Sequence, residues 1–189
     1  MMAEAKTKIT SLITEKPNDK NEHSAHDSSK KSHLNVSEAK KNGPRKSGSQ
    51  PRRKSRELVL KSVYRGMLNQ STLKQIYNDM AEDPDYKKAD EAYFKHLLEA
   101  VIAHMEELDA KLTHFIDRPM AELSPVEHAI LRISGCELMF DTSIPYKVII
   151  NEGVELAKLY GGTDGHKYIN GVLDKLAAEV RSTEIKSRI

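Results

Sequence analysis

The chain has 189 residues, with 30 Lys and Arg against 28 Asp and Glu, a mean hydropathy of −0.61, one Cys and no Trp. No apolar run approaches the roughly 18 residues needed to cross a bilayer, and no secretory apolar core is present, so a cytoplasmic protein with no membrane partner is expected. Cys136 alone makes neither an internal disulfide nor a cysteine metal site, which leaves apolar burial to hold the fold.

Charge is unevenly distributed. Residues 1–50 hold ten Lys and Arg against six Asp and Glu, a net +4, and the remaining 139 residues carry a net −2. The first fifty residues also lack Phe, Tyr and Trp and are rich in Ser, Asn, Lys and His. Such a segment cannot bury enough apolar surface to offset the roughly 1–2 kcal/mol per residue lost on ordering a backbone, so a disordered polar and basic tail is expected over 1–50. Residues 9–13 have the composition for a short helix. Glu4, Glu15, Asp19, Glu22, Asp27 and Glu38 make the segment too acidic for an organellar transit peptide. His23, His26 and His33 read as solvated rather than as metal ligands.

Turn and breaker residues cluster from Gly43-Pro44 to Gln50-Pro51, and a folded domain is expected over 51–189. From Arg53 onward, Leu60, Val63, Tyr64, Met67 and Leu68 recur at helical spacing, predicting a first helix that ends near Asn69. Ser71 is the expected cap of a shorter helix containing Leu73, Ile76, Tyr77 and Met80, which stops before Asp83-Pro84. A longer apolar stripe follows from Tyr93 and Phe94 through Leu108, Leu112 and Phe115, with a bend or break expected between Met105 and Asp109. Ser124-Pro125-Val126-Glu127 reads as a capping box that opens the next helix, with Val126, Ala129, Ile130, Ile133, Cys136 and Phe140 as its buried stripe. On that face Cys136 is a packing residue and not a nucleophile.

A further helix opens near Pro145 and carries Val148, Ile149, Glu152, Leu156 and Leu159. Gly161-Gly162 is expected to end it in the left-handed conformation, and Asp164 to cap a last helix built on Ile169, Val172, Leu173, Leu176, Ala177 and Val180. No strand pattern remains. The predicted fold class is therefore all-α, a single compact domain of about seven helices.

A search for catalytic chemistry finds none. No His follows a Glu by three residues, His-Glu-x-x-His is absent, and Gly161–Gly165 lacks the Gly-Lys-Ser/Thr ending of a phosphate loop. No enzyme, cofactor or metal site is expected. A charge run is present instead. Between Glu38 and Glu57 lie eight basic residues and no acidic one: Lys40, Lys41, Arg45, Lys46, Arg52, Arg53, Lys54 and Arg56. The last four enter the first turn of a helix, where the positive end of the macrodipole disfavours clustered cations, and phosphates would relieve that cost. Single-stranded RNA suits the arrangement better than a duplex, because Tyr160 and Tyr168 flank the Gly161–His166 turn with Lys167 beside them and offer faces for unpaired bases. Either tyrosine can equally be a core residue.

Several stretches carry a more specific signal. These are Arg52-Arg53-Lys54-Ser55-Arg56-Glu57, Tyr93-Phe94, Val126-Glu127 with Leu131-Arg132-Ile133 and Glu137-Leu138, Pro145-Tyr146-Lys147-Val148-Ile149-Ile150-Asn151-Glu152, and His166 through Asp174. Through them residues 51–181 resemble the NusB family of bacterial transcription antitermination factors. The resemblance implies an all-helical fold without catalysis. It also implies binding of the boxA element of nascent ribosomal RNA leader transcripts jointly with the ribosomal protein NusE, and entry into the RNA polymerase antitermination complex with other Nus factors. Matched motif by motif, it places RNA on Arg52, Arg53, Lys54, Tyr160, Asp164, Lys167 and Tyr168, and NusE on Tyr64 and Glu127. Lys54 interrupts a run of arginines in the family, keeping the charge but not the planar fork.

Two other readings compete. A protein-only helical adapter would leave the basic run inert. An RNA-docking domain like that of certain ribosomal RNA cytosine methyltransferases would need a catalytic part, and neither the eight residues after Arg181 nor any βαβ segment supplies one.

Overall fold

The computed structural model describes residues 49–69 and 71–187. The expectations for the tail before residue 49, including its short helix, its three histidines and Lys40, Lys41, Arg45 and Lys46, lie outside the described residues. Among the described residues the chain forms eight α-helices and two 3₁₀ turns, with no strand. The helices are α1 (Ser49–Asn69), α2 (Leu73–Ala81), α3 (Glu91–Ala103), α4 (Met105–Leu112), α5 (Pro125–Phe140), α6 (Tyr146–Tyr160), α7 (Gly165–Val180) and α8 (Ser182–Lys186). The 3₁₀ turns, Tyr86–Lys88 and Met120–Glu122, precede α3 and α5.

α1 starts earlier than Arg53, at Ser49, because Pro51 falls in its first turn, where a missing N–H is tolerated. The cap of α2 is Thr72 rather than Ser71. Thr72 Oγ1 accepts from Gln75 N at 3.2 Å while Gln75 Oε1 accepts from Thr72 N at 2.9 Å, a reciprocal pair that Ser71 would place out of register. The long third helix breaks at His104, one residue before the expected interval, so that α4 can turn Asp109 toward α5.

α5 forms the axis of the molecule. Every residue from His128 through Leu138 is buried, because α1, α3, α4, α6 and α7 all pack around it. The core comprises Leu58, Phe94, Leu98, Ile130, Leu131, Leu138, Ile149, Ile169, Leu173 and their neighbours, and each such side chain contributes about 1.5–3 kcal/mol on burial. A helix enclosed on all sides has no wet face for its charges, so Arg132 and Glu137 are satisfied internally. Arg132 donates two hydrogen bonds to Asp109, at 2.8 and 2.7 Å, and His128 Nε2 adds a third at 2.8 Å. Glu137 accepts from Arg56 Nη2 at 2.8 Å and from the Tyr93 hydroxyl. Cys136 packs beside them, its thiol pushed up to about 12 first by burial and then by the charges of Glu137 and Asp141.

One apolar assignment, Phe140 in the buried stripe of α5, is corrected. Phe140 is 42% exposed at the end of α5 and stacks on His104 with ring centroids 4.1 Å apart. Of the residues that α6 carries, Val148 and Leu159 are 45% and 59% exposed, because α6 turns Ile149, Ile150, Gly153, Leu156 and Ala157 toward α5 and α7.

Candidate nucleic-acid interface

The first turn of α1 is tied to the start of α3. Asp90 N donates to Pro51 O at 3.3 Å, and Ser55 Oγ donates to Asp90 O at 2.8 Å. That tie sends the three basic residues in different directions. Arg52 lies 5.0 Å from the centroid of the Tyr93 ring, with Nε 3.8 Å from Asp90 Oδ2. Arg53 reaches α6, where Nη2 is 3.0 Å from Glu155 Oε2. Lys54 Nζ lies between Glu57 Oε2 at 2.7 Å and Asp85 Oδ2 at 3.3 Å. The hydrogen bond to Glu57 is the largest reason that the Lys54 pKa is raised.

Glu57 also joins α1 to the end of α6, because the same Oε2 accepts from the Tyr160 hydroxyl at 3.1 Å. The structure therefore brings Arg53 and Lys54 to the end of α6 that carries Tyr160, and turns Arg52 toward α3. Each cation has a carboxylate partner from its own chain. The helix-dipole cost expected for this cluster is thus offset internally, before any phosphate arrives.

The turn after α6 is built differently from the expectation. Gly161 has φ −88° and ψ 179°, which is extended and not left-handed, and its N–H bonds Ala157 O at 2.9 Å. Glycine is needed there for space, since a Cβ would lie 2.6 Å from Ala157 O. Asp164 stands at the cap position of α7 but makes no side-chain cap bond; its Oδ1 instead pairs with Lys167 Nζ at 2.8 Å. Tyr168, in the first turn of α7, is partly buried, and Arg118 from the loop before α5 covers its ring with Cζ 4.6 Å from the centroid. The Tyr168 hydroxyl is buried without a hydrogen bond of regular geometry; that burial, then the nearby Asp117 charge, raises its pKa.

Glu127 is drawn into this second cluster. Ser124 Oγ does cap α5 by accepting from Glu127 N at 3.1 Å, but the reciprocal half of the expected capping box is not formed. The Glu127 carboxylate lies against the first residue of α7 instead, where a Cβ on Gly165 would come within 2.9 Å of Oε1. Tyr64, 37% exposed, sits elsewhere, with Leu68 on the wall of a groove of about 420 Å³ between α1 and α2.

Among the described residues no group of three or more His, Cys, Asp or Glu is arranged to hold a metal ion, and no helix is long and apolar enough to cross a membrane. The family model for NusB matches residues 53–178, which spans α1 to α7. The chain belongs to the NusB family. The transcription antitermination protein NusB of Methylobacillus flagellatus is 58% identical over 149 residues, covering 79% of this chain and 96% of that one. The NusB protein of Thiobacillus denitrificans is 47% identical over 135 residues, covering 71% and 93%. Among solved structures, T. maritima NusB aligns with a TM-score of 0.61 at 27% identity, covering 68% of this chain and 92% of that one. A crystal structure of antitermination factors NusB and NusE in complex with dsRNA aligns with a TM-score of 0.61 at 25% identity, covering 66% and 94%.

Sequence reasoning missed one residue in each of the two clusters, Glu57 in the first and Arg118 in the second. Glu57 follows Lys54 by three residues, so a helical ion pair was legible, but its bond to Tyr160 spans 103 positions and left no local trace. Arg118 stands in a loop, where periodicity gives no signal.

Proposed function

We propose that this chain is a transcription antitermination factor that binds the boxA element of nascent ribosomal RNA leader transcripts together with NusE and joins the RNA polymerase antitermination complex in the cytoplasm. In this reading residues 51–189 form the binding domain. RNA engages Arg52, Arg53, Lys54, Tyr160, Asp164, Lys167 and Tyr168, and NusE engages Tyr64 and Glu127. The observation that carries the reading is the bridge of Glu57 to both Lys54 and Tyr160, which holds the Lys54 ammonium close to the hydroxyl of a 39% exposed aromatic ring. Phosphates would exchange with the carboxylates that now hold the cations.

That same pairing favours one other reading, a protein-only adapter, because cations already neutralised need no polyanion. A salt titration of boxA oligonucleotide binding, single-stranded and duplex, with and without NusE and against a scrambled control, separates the two. For an RNA factor, Arg52→Ala with Arg53→Ala flattens the log–log salt slope by about 0.7 for each single-strand phosphate that is no longer neutralised. A slope that both substitutions leave unchanged removes these residues from the site, and absence of boxA binding favours the adapter. On the partner side, Glu127→Lys weakens NusE binding more than it weakens folding, because charge reversal at an interface adds repulsion. Equal NusE affinity would remove Glu127 from that interface.

A further inference from the structure

Arg118 belongs to neither the basic run nor any stretch assigned above, yet it is the residue that covers Tyr168. Its Cζ lies 4.6 Å from the ring centroid while its side chain remains 44% exposed. Among the described residues its hydrogen-bond partner is the adjacent Asp117, whose Oδ1 accepts from Nε at 2.9 Å. The guanidinium is thus held along its Nε edge, with the Glu127 charge also acting on it, and the side chain stays partly open to solvent. A base inserted between the guanidinium and the ring would need roughly twice the 3.4 Å rise of stacked bases, more than the gap allows. The Tyr168 face under Arg118 is therefore closed to direct stacking. The outer face of the guanidinium is not. Arginine is the one cation with a flat, weakly hydrated face that stacks on π-systems, and a ring behind it fixes its plane. The exposed Lys167 stands one residue from Tyr168, on the same first turn of α7, and supplies a charge for the phosphate of a base seated there.

We infer that Arg118 is a further RNA-contacting residue, whose guanidinium, backed by the Tyr168 ring, forms the outer layer of a stacking platform for one unpaired nucleobase. The inference rests on the RNA-binding reading above and adds a residue from the loop before α5 to it. A contact of this kind depends on the flatness of the group as well as on its charge. Lysine keeps the charge and loses the plane.

The test is binding of single-stranded boxA oligonucleotide, in the presence of NusE, to the full chain and to Arg118→Ala, Arg118→Lys, Tyr168→Leu and Tyr168→Phe, each over a salt series. Both Arg118 variants and Tyr168→Leu should lose about tenfold in affinity, as expected for one base stack, with a salt slope close to that of the original chain. Tyr168→Phe should keep more affinity than Tyr168→Leu, since the ring that backs the guanidinium remains; an equal loss in the two would overturn the role of the ring. Circular dichroism melts guard against unfolding, which the exposed Arg118 pair is not expected to cause. Wild-type affinity for Arg118→Lys would overturn the platform in favour of charge alone, and wild-type affinity for Arg118→Ala would remove Arg118 from the interface. If the original chain binds no boxA RNA, the RNA reading fails as a whole; if it binds and the Arg118 variants bind equally, only this inference fails.

Discussion

Asp109 shows what a single buried carboxylate does in this fold. Burial alone would push its carboxyl up, but the hydrogen bonds from Arg132 and His128, with their charges, hold it well below the usual carboxylate range. A carboxylate whose folded pKa is depressed contributes stability above its unfolded value of about 3.9, and that contribution is lost as pH falls toward the folded value. Urea unfolding should therefore show a stability loss beginning below about pH 5, and Asp109→Asn should flatten that acid limb. The same variant should lose roughly 3–5 kcal/mol at neutral pH, because Arg132 stays buried without its counter-charge. An unchanged acid limb in the variant would assign it to other carboxylates. At this scale the sequence was legible where charge or motif marks a residue. Arg52, Arg53 and Lys54 stand out as a run, and Tyr160, Lys167 and Tyr168 as neighbours of a turn. The partners were not legible, because Glu155 meets Arg53 across 102 positions and no local pattern encodes a meeting of α1 with α6.

Helix positions followed from apolar spacing, since a 3.6-residue repeat is a property of one element and needs no knowledge of its neighbours. Caps were harder to read. Ser71 and Thr72 are both competent, and the choice falls to the residue three before Gln75. At α5 the competition is tertiary, because the approach of α7 gives the Glu127 carboxylate another place to lie. Close approach also governs Gly153, where α6 crosses α5 and α7. A Cβ there would meet Ser134 Oγ at 2.6 Å and Leu173 Cδ1 at 2.9 Å. Ser134 and Leu173 are both buried, so neither can swing into solvent. Gly153→Ala should cost about 1–3 kcal/mol through overpacking, read as a lower urea midpoint at unchanged slope. A midpoint equal to that of the original chain would show that the three helices can separate freely at this crossing.

Across the whole molecule, the arrangement around α5 was the least visible feature in the sequence. Its stripe was legible, but Arg132 and Glu137 look like wet positions until five other helices are packed about them. The tail and the domain carry opposite net charge, +4 for residues 1–50 and −2 for the rest. Because the tail composition offers little apolar surface to bury, deletion of residues 1–44 should leave the melting temperature nearly unchanged. A drop of many degrees would mean that the tail docks on the domain. Arg181, buried just after α7, donates Nε to Leu138 O at 2.6 Å and Nη2 to Glu137 O at 3.0 Å and to Asp141 O, tying off carbonyls at the end of α5. Its position lies beyond residue 178, where the family match stops. A protein trimmed to that matched span would keep almost every side chain assigned to RNA and lose the fastener of its own axle, so a minimal fragment for binding work has to be cut by hydrogen bonds rather than by homology.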